Sequence, residues 1–116
     1  MAVRIKRIYE PYSKDDGYRI LVDRLWPRGV KKEAAHVNTW LKEVAPSAGL
    51  RKWFGHDPAK WTEFKKKYHA ELKGSEALDS LLSNIHEHKT VTLLYGAKDE
   101  EHNQAAVLQQ LVSKHS

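Results

Sequence analysis

The chain contains no cysteine among its 116 residues. Disulfides, cysteine-ligated zinc, iron–sulfur clusters and a cysteine nucleophile are therefore excluded together. Long hydrophobic runs are also missing, because the purely apolar stretches extend over only a few residues and are too short to span a bilayer. No apolar segment follows the charged residues at the start of the sequence, so no signal peptide is indicated. The cytoplasm is the expected compartment, and no membrane partner is expected.

Charged residues make up 30% of the chain and apolar residues 41%, a balance typical of one soluble globular domain of this length. The net charge of +5 is unevenly distributed. Residues 1–32 hold nine Lys and Arg against four Asp and Glu, whereas residues 75–116 hold three against six. The basic first part of the chain indicates an anionic partner, either a small molecule or a nucleic acid.

Three short apolar segments, at 3–9, 18–23 and 90–95, predict β-strands. Helical spacing of apolar residues predicts helices over 34–44, 58–72, 75–85 and 99–112, with a further short turn after Ser47. This order predicts a single α/β domain over residues 1–116, with a small, mainly parallel sheet flanked by helices, and leaves room for one strand that the pattern misses.

Polar loops follow two of the predicted strands. Ligands of open α/β sheets bind at the carboxyl ends of the strands, so these loops are expected to converge if their strands are neighbours. Two arginines suit a phosphate or carboxylate, and a small residue lets a ligand approach the backbone. The candidates from these loops are Asp23, Arg24, Trp26, Arg28, Gly96, Lys98, Asp99, His102 and Asn103.

Plain structural roles compete with this interpretation. Asp23 and Arg24 could form ordinary loop ion pairs, Asp99 could cap the last helix, and Trp26 could be buried against helices. The loop from Gly96 to Asp99 matches no nucleotide-binding glycine motif, so no cofactor is specified. His86 and His88 do not share a helix face, and no metal site is indicated. The basic run at 65–67 is interpreted either as solvated helix surface or as a surface that contacts nucleic acid.

Three motifs resemble a known family. They are the sequences DRLWPRG at 23–29, WLKEVAPS at 40–47 with LRKWFGHDP at 50–58, and TLLYGAKDEEHNQA at 92–105. Together they resemble the YeaO-like bacterial proteins, part of the domain-of-unknown-function family four-eight-eight. The resemblance implies a compact Rossmann-like α/β domain and adds Arg51 and His56 to the candidate ligand-binding residues. Some broader relatives carry a Cys-His-Arg type of run near the last loop, and no thiol chemistry is carried over to this chain.

The leading hypothesis is a protein that binds an anionic small molecule, such as a nucleotide or phosphorylated metabolite, at the strand ends. Arg24, Arg28 and Arg51 would hold the anion. If the protein is an enzyme, hydrolysis or group transfer is expected, with Asp23, Asp99 and His102 as acid–base candidates. The alternatives are a basic nucleic-acid-binding module and a non-catalytic interaction protein.

Overall fold

The structure, a computed structural model, describes residues 2–114. The strands within this range are β1 (Ala2–Arg7), β2 (Tyr18–Leu21), β3 (Thr39–Trp40) and β4 (Thr90–Tyr95). The helices are α1 (Lys32–Ala35), α2 (Ala48–Phe54), α3 (Trp61–Leu72), α4 (Glu76–His86) and α5 (Gln104–Ser113). Short 3₁₀ turns occupy Lys14–Asp16, Lys42–Val44 and Pro58–Lys60. The three predicted strands are confirmed, and β3 is the additional one.

The four strands form one parallel sheet of order β1-β4-β2-β3. β4 is an inner strand, with β1 on one side, starting at Ala2 opposite Thr90, and β2 on the other, starting at Tyr18 opposite Val91. The prediction of a small, mainly parallel α/β sheet is confirmed, and every strand in residues 2–114 is parallel to its neighbours. As a result, the carboxyl ends of β2 and β4 lie side by side.

One side of the sheet, which we call the helix face, carries the main apolar core. Alternate strand residues such as Ile20, Val91 and Leu93 are completely buried there. They pack in one cluster with the apolar stripes of α2, α3, α4 and α5. Serine side chains cap two of these helices: the Ser47 and Ser75 hydroxyls accept the backbone N–H groups of Leu50 and Leu78.

The opposite side, which we call the loop face, is covered by irregular segments and the short α1. Its apolar cluster is small and centres on Leu21 and Leu94. Beside it, Arg19 is 2% exposed and donates to the Asp16 carboxylate. The Lys6 Nζ donates to the same carboxylate at 3.1 Å. Charged groups thus occupy positions that apolar side chains fill on the helix face.

Two carbonyls of the α1 region complete the surroundings of Arg19. Its Nη2 donates to the Ala35 carbonyl at 3.0 Å, and its Nε donates to the His36 carbonyl at 3.1 Å. The turn before β2 needs a glycine, because Gly17 has a φ of 67° and a Cβ there would lie 2.3 Å from the Thr90 carbonyl oxygen. The close approach of Gly17 to Thr90 packs the turn that contains Asp16 directly against β4.

The helix predicted over 34–44 is wrong. α1 ends at Ala35, because His36 turns the backbone into the left-handed region at φ 51°. The Asn38 and Leu41 N–H groups then donate to carbonyls of β2, each at 2.9 Å, so the chain continues as the edge strand β3. Pairing with the sheet has overridden an apolar spacing that fits a helix.

Candidate functional site

The loops after β2 and β4 meet at Asp23, as the polar strand ends predict. The Asp23 Oδ2 accepts the Gly96 N–H at 2.8 Å, and its Oδ1 accepts from the Gln104 side-chain amide. One carboxylate therefore joins the end of β2 to the end of β4 and to the first residue of α5. A side chain at position 96 would displace this carboxylate, because a Cβ there would lie 2.9 Å from Asp23 Oδ2.

Burial raises the pKa of the Asp23 carboxyl above its ordinary value, since the charged form is poorly hydrated. The hydrogen bonds from Gly96 and Gln104, and the positive charge of Arg51, lower the pKa in turn but do not cancel the effect of burial. Because both carboxylate oxygens already accept hydrogen bonds, Asp23 acts first as an anchor for the surrounding loops.

A cavity of about 300 Å³ opens above this anchor, and we call it the arginine cavity. Within it, Arg24 is held in place by the carbonyls of Ala45 and Pro46, at 3.0 and 3.4 Å. Arg51 is exposed, and its guanidinium makes no hydrogen bond or ion pair with residues 2–114. Two guanidinium groups therefore line one cavity, one fixed and one free. The lining residues are Asp23, Arg24, Leu25, Ala45, Pro46, Arg51, His56, Gly96, Ala97 and Gln104.

A second, smaller cavity of about 140 Å³ lies beside the first, and we call it the aromatic cavity. Its walls include Phe54 and Phe64, whose rings stack with centroids 4.3 Å apart. Arg51 borders both cavities. The lining residues are Pro46, Arg51, Phe54, His56, Phe64, His102, Asn103 and Gln104.

The third cavity, of about 440 Å³, is bordered by Lys98 and Asp99. His56 lines all three cavities and has a φ of 57°, a left-handed conformation that is uncommon for a residue other than glycine. Gly55 precedes it with a φ of 53°. Two successive left-handed residues thus bring the imidazole of His56 to the junction of the cavities.

Asp99 does not cap α5, contrary to the prediction. It caps the preceding turn, where its Oδ1 accepts the N–H groups of Glu101 and His102, both at 2.9 Å. These hydrogen bonds hold the pKa of the Asp99 carboxyl below its ordinary value. The helix cap is Asn103, whose Oδ1 accepts the Ala106 N–H, and α5 therefore begins after His102.

Asp99 and His102 form a hydrogen-bonded pair. The Asp99 Oδ2 lies 2.9 Å from His102 Nδ1, and the imidazole packs edge-on against Trp61 at 5.2 Å between centroids. His102 Nε2 makes no hydrogen bond with the part of the chain that the structure describes. A carboxylate that holds one imidazole nitrogen and leaves the other free is an arrangement suited to acid–base chemistry or to binding a polar ligand.

Trp26 and Arg28 lie elsewhere. The Trp26 ring packs edge-on against Trp40 on the loop face, and its Nε1 donates to the Val30 carbonyl at 2.7 Å. Arg28 is exposed, and its carbonyl accepts from the Tyr9 hydroxyl. The other nine predicted site residues, unlike these two, line at least one of the three cavities.

The sequence interpretation missed Gln104 and Phe54 as site residues. Gln104 is the first residue of α5, and its side-chain amide reaches back to Asp23. Phe54 follows Arg51 by three residues, and residues at that spacing share a helix face, so the arginine could have pointed to it.

Two further observations concern the described residues as a whole. No group of three or more His, Asp or Glu side chains within residues 2–114 is arranged so that it could hold a metal ion. The helices of this region are each too short or too polar to cross a membrane.

The fold and the site define a Rossmann-like α/β protein with a polar cleft at the carboxyl edge of its sheet. A family model described as "Inactive DUF488-N3 subclade" matches residues 2–116. The chain belongs to this YeaO-like DUF488 family, as the three sequence motifs indicate.

Curated relatives match over nearly their full length. The uncharacterised protein YeaO of Escherichia coli is 44% identical over 108 residues, which cover 93% of this chain and 94% of the relative. The uncharacterised protein Rv3073c of Mycobacterium tuberculosis is 41% identical over 111 residues, which cover 96% and 93%. The uncharacterised protein Mb3100c of Mycobacterium bovis matches to the same extent. No solved structure matches the chain.

Proposed function

We propose that the protein binds an anionic small molecule, with a phosphate or carboxylate group, in the arginine cavity. The observation that carries this proposal is that two arginines, Arg24 and Arg51, line the same cavity. Arg24 is oriented by two backbone carbonyls, whereas the guanidinium of Arg51 donates to no group within residues 2–114. Guanidinium groups bind phosphate and carboxylate through two parallel hydrogen bonds, which gives both affinity and orientation.

Neighbouring charges support an anion rather than a cation. The carboxylate of Glu43 is 70% exposed and lies 3.8 Å from Arg24 Nη1, a surface pair of little strength that an anion can replace. Asp23 is already hydrogen-bonded through both oxygens. His56 also lines the arginine cavity, and Lys98 borders the neighbouring cavity of about 440 Å³.

The family description favours binding without turnover, because the matching subclade is called inactive. Hydrolysis or group transfer is the second candidate, and the Asp99–His102 pair is the observation that favours it. A phosphomonoester such as p-nitrophenyl phosphate tests this candidate. Hydrolysis by the wild-type protein that is lost in His102→Ala would support catalysis, and equal background rates would remove it.

The binding proposal is tested by calorimetric titration of inorganic phosphate and acetate into the full chain. Arg51→Ala should weaken binding by at least about tenfold, because hydrogen bonds to charged groups contribute roughly 1.5–3 kcal/mol. Lys52→Ala is the matched control, since it removes the same charge from the next residue of α2, which borders none of the three cavities.

Three results would count against the proposal. The first is that neither anion binds the wild-type chain. The second is that Arg51→Ala and Lys52→Ala weaken binding equally, and the third is that Arg51→Ala binds the anion as tightly as wild type. A steep fall in DNA or RNA affinity with rising salt, unaffected by Arg51→Ala, would favour the nucleic-acid alternative instead.

A further inference from the structure

We infer that the anionic ligand also carries a planar heteroaromatic ring, which lies in the aromatic cavity while its anionic group lies in the arginine cavity. This inference rests on the proposed function and adds the chemical class of the ligand. It assigns a ring-binding role to Phe54, Phe64, His102 and Gln104.

The two cavities are positioned to hold one molecule. They share Pro46, Arg51, His56 and Gln104 as lining residues. Arg51 therefore stands where the two spaces meet, and its guanidinium can bind an anion without closing the aromatic cavity. A ligand of two linked parts, one charged and one flat, matches this arrangement.

The aromatic cavity has the walls that a flat ring needs. Phe54 and Phe64 are 5% and 2% exposed and are fixed in the main core, so that they offer rigid aromatic surface. Pro46 adds an apolar wall and is itself buried. Aromatic side chains favour stacked or edge-on contacts with another ring over contacts with a flexible polar group. At about 140 Å³, the space suits one small ring system rather than an extended chain.

Polar atoms at the edge of this cavity favour a ring that contains nitrogen or carbonyl groups. His102 Nδ1 is held by Asp99, which leaves Nε2 as a hydrogen-bonding atom. The Gln104 amide nitrogen donates to Asp23, which leaves the amide oxygen as an acceptor. A purely hydrocarbon ring would leave both of these atoms without a partner, at a cost in affinity. Nucleobases carry hydrogen-bond donors and acceptors along the ring edge, and these can pair with His102 Nε2 and the Gln104 amide oxygen.

Two ligands that differ only by the ring provide the test. Uridine 5′-monophosphate and ribose 5-phosphate share a phosphate and a sugar, and adenosine 5′-monophosphate offers a larger ring. Titration of each into the full chain should show at least one nucleotide binding about tenfold more tightly than ribose 5-phosphate. A gain in affinity of this size is expected from one additional hydrogen bond together with the contacts of the ring. Both nucleotides within about threefold of ribose 5-phosphate would overturn the inference.

A variant and a spectroscopic measurement locate the ring. His102→Ala should bring the nucleotide affinity close to that of ribose 5-phosphate and leave ribose 5-phosphate itself unchanged, whereas Lys52→Ala should change neither. Saturation-transfer NMR on the wild-type protein should show stronger transfer to ring protons than to sugar protons. This measurement needs no variant, and stronger transfer to the sugar would overturn the inference.

Failure of this inference is distinguishable from failure of the proposed function. If inorganic phosphate and ribose 5-phosphate bind and Arg51→Ala weakens them, while the nucleotides bind no more tightly, only the ring site is wrong. If none of these anions binds, the proposed function is wrong and the ring site falls with it.

Discussion

The two faces of the sheet are built from different interactions. The helix face buries a continuous apolar cluster that receives side chains from four helices. The loop face has a small apolar cluster and relies on the Asp16–Arg19 ion pair, which Lys6 and two backbone carbonyls complete. Stability on the helix face therefore depends on packed area, whereas stability on the loop face depends on the satisfaction of every buried charge.

This difference also separates two kinds of mutational risk. Apolar cores tolerate replacement by residues of similar size, because no single contact is essential. A buried ion pair does not tolerate removal of one partner, because the remaining charge then has neither water nor a counter-ion. The following predictions run from the largest expected effect to the smallest.

Asp16→Ala should destabilise the protein most, by about 3–5 kcal/mol, because it leaves the Arg19 guanidinium buried without its carboxylate. Urea unfolding at pH 7 measures the change. Asp15→Ala is the matched control on the same turn, since its side chain is exposed, and it should stay within about 0.5 kcal/mol of wild type. Equal effects of the two variants would show that the ion pair does not stabilise the loop face.

Leu81→Ala should cost about 2–5 kcal/mol, because it opens a cavity beneath α4 in the completely buried core of the helix face. The neighbouring half-buried Leu82 gives the control, with a smaller loss expected for Leu82→Ala. The effects of Asp16→Ala and Leu81→Ala should add within about 0.5 kcal/mol if the faces are independent. If the free energy of unfolding of the double variant, measured in urea, departs further from the sum of the two single effects, the two faces are coupled.

Ser13→Ala and Ser75→Ala should each cost about 1 kcal/mol, because both hydroxyls cap a helical turn. Ser13 belongs to the loop face and Ser75 to the helix face, so similar losses are expected from different faces. Thermal unfolding compares them with Ser83→Ala, an exposed serine within α4. Loss at only one of the two caps would mean that the faces also differ in turn chemistry.

The smallest perturbation is a change of pH. Burial raises the Asp16 pKa, but hydrogen bonds from Lys6, the Ser13 N–H and Arg19 outweigh it and place the pKa below the ordinary 3.8. The stabilisation by Asp16 is thus present above the pKa of the unfolded chain and is lost as the pH falls through the lowered pKa.

The carboxyl at the cleft behaves in the opposite sense. Because the Asp23 pKa is raised, its ionised form costs stability, and this cost disappears as the pH falls through the raised pKa. Carboxyl-carbon NMR should show Asp23 titrating above 3.8 and Asp16 below it. Asp16→Asn and Asp23→Asn assign the two signals, and a reversed order would contradict the burial and bonding described for each.

The helix face was largely predictable from sequence, and the loop face was not. Apolar residues at helical spacing identified α3 and α4, because each helix buries one stripe. The same logic failed for 34–44, where the N–H groups of Asn38 and Leu41 bond to β2. Asp16 lies only three residues before Arg19, but the two carbonyls that complete its surroundings belong to Ala35 and His36. The local sequence alone therefore does not mark Arg19 as buried.

The convergence of the candidate residues was predictable from sequence, although Trp26 and Arg28 lie elsewhere and Gln104 and Phe54 were missed. The rule that ligands bind at strand ends predicts that Asp23 and Gly96 lie close together. In the structure the Gly96 N–H donates to Asp23 Oδ2, with 2.8 Å between the nitrogen and the oxygen. Trp26 was assigned to the same loop, yet its ring packs on the loop face. The position of a loop in the sequence determines which strand it follows. The direction of each side chain in the loop depends on packing against residues from other segments of the chain.

The strand order has a consequence for how the chain folds during its synthesis. β1, the first strand of the described residues, pairs there with β4 and with no other strand, and β4 ends at Tyr95. β4, the inner strand that separates β1 from β2, is therefore the last of the described strands to leave the ribosome, and β1 stays unpaired until then. Pairing across such a long sequence separation slows folding and prolongs the exposure of unpaired strands. A nascent chain stalled before Thr90 should lack the four-stranded sheet, because only the short pairing of β2 with β3 is available to it.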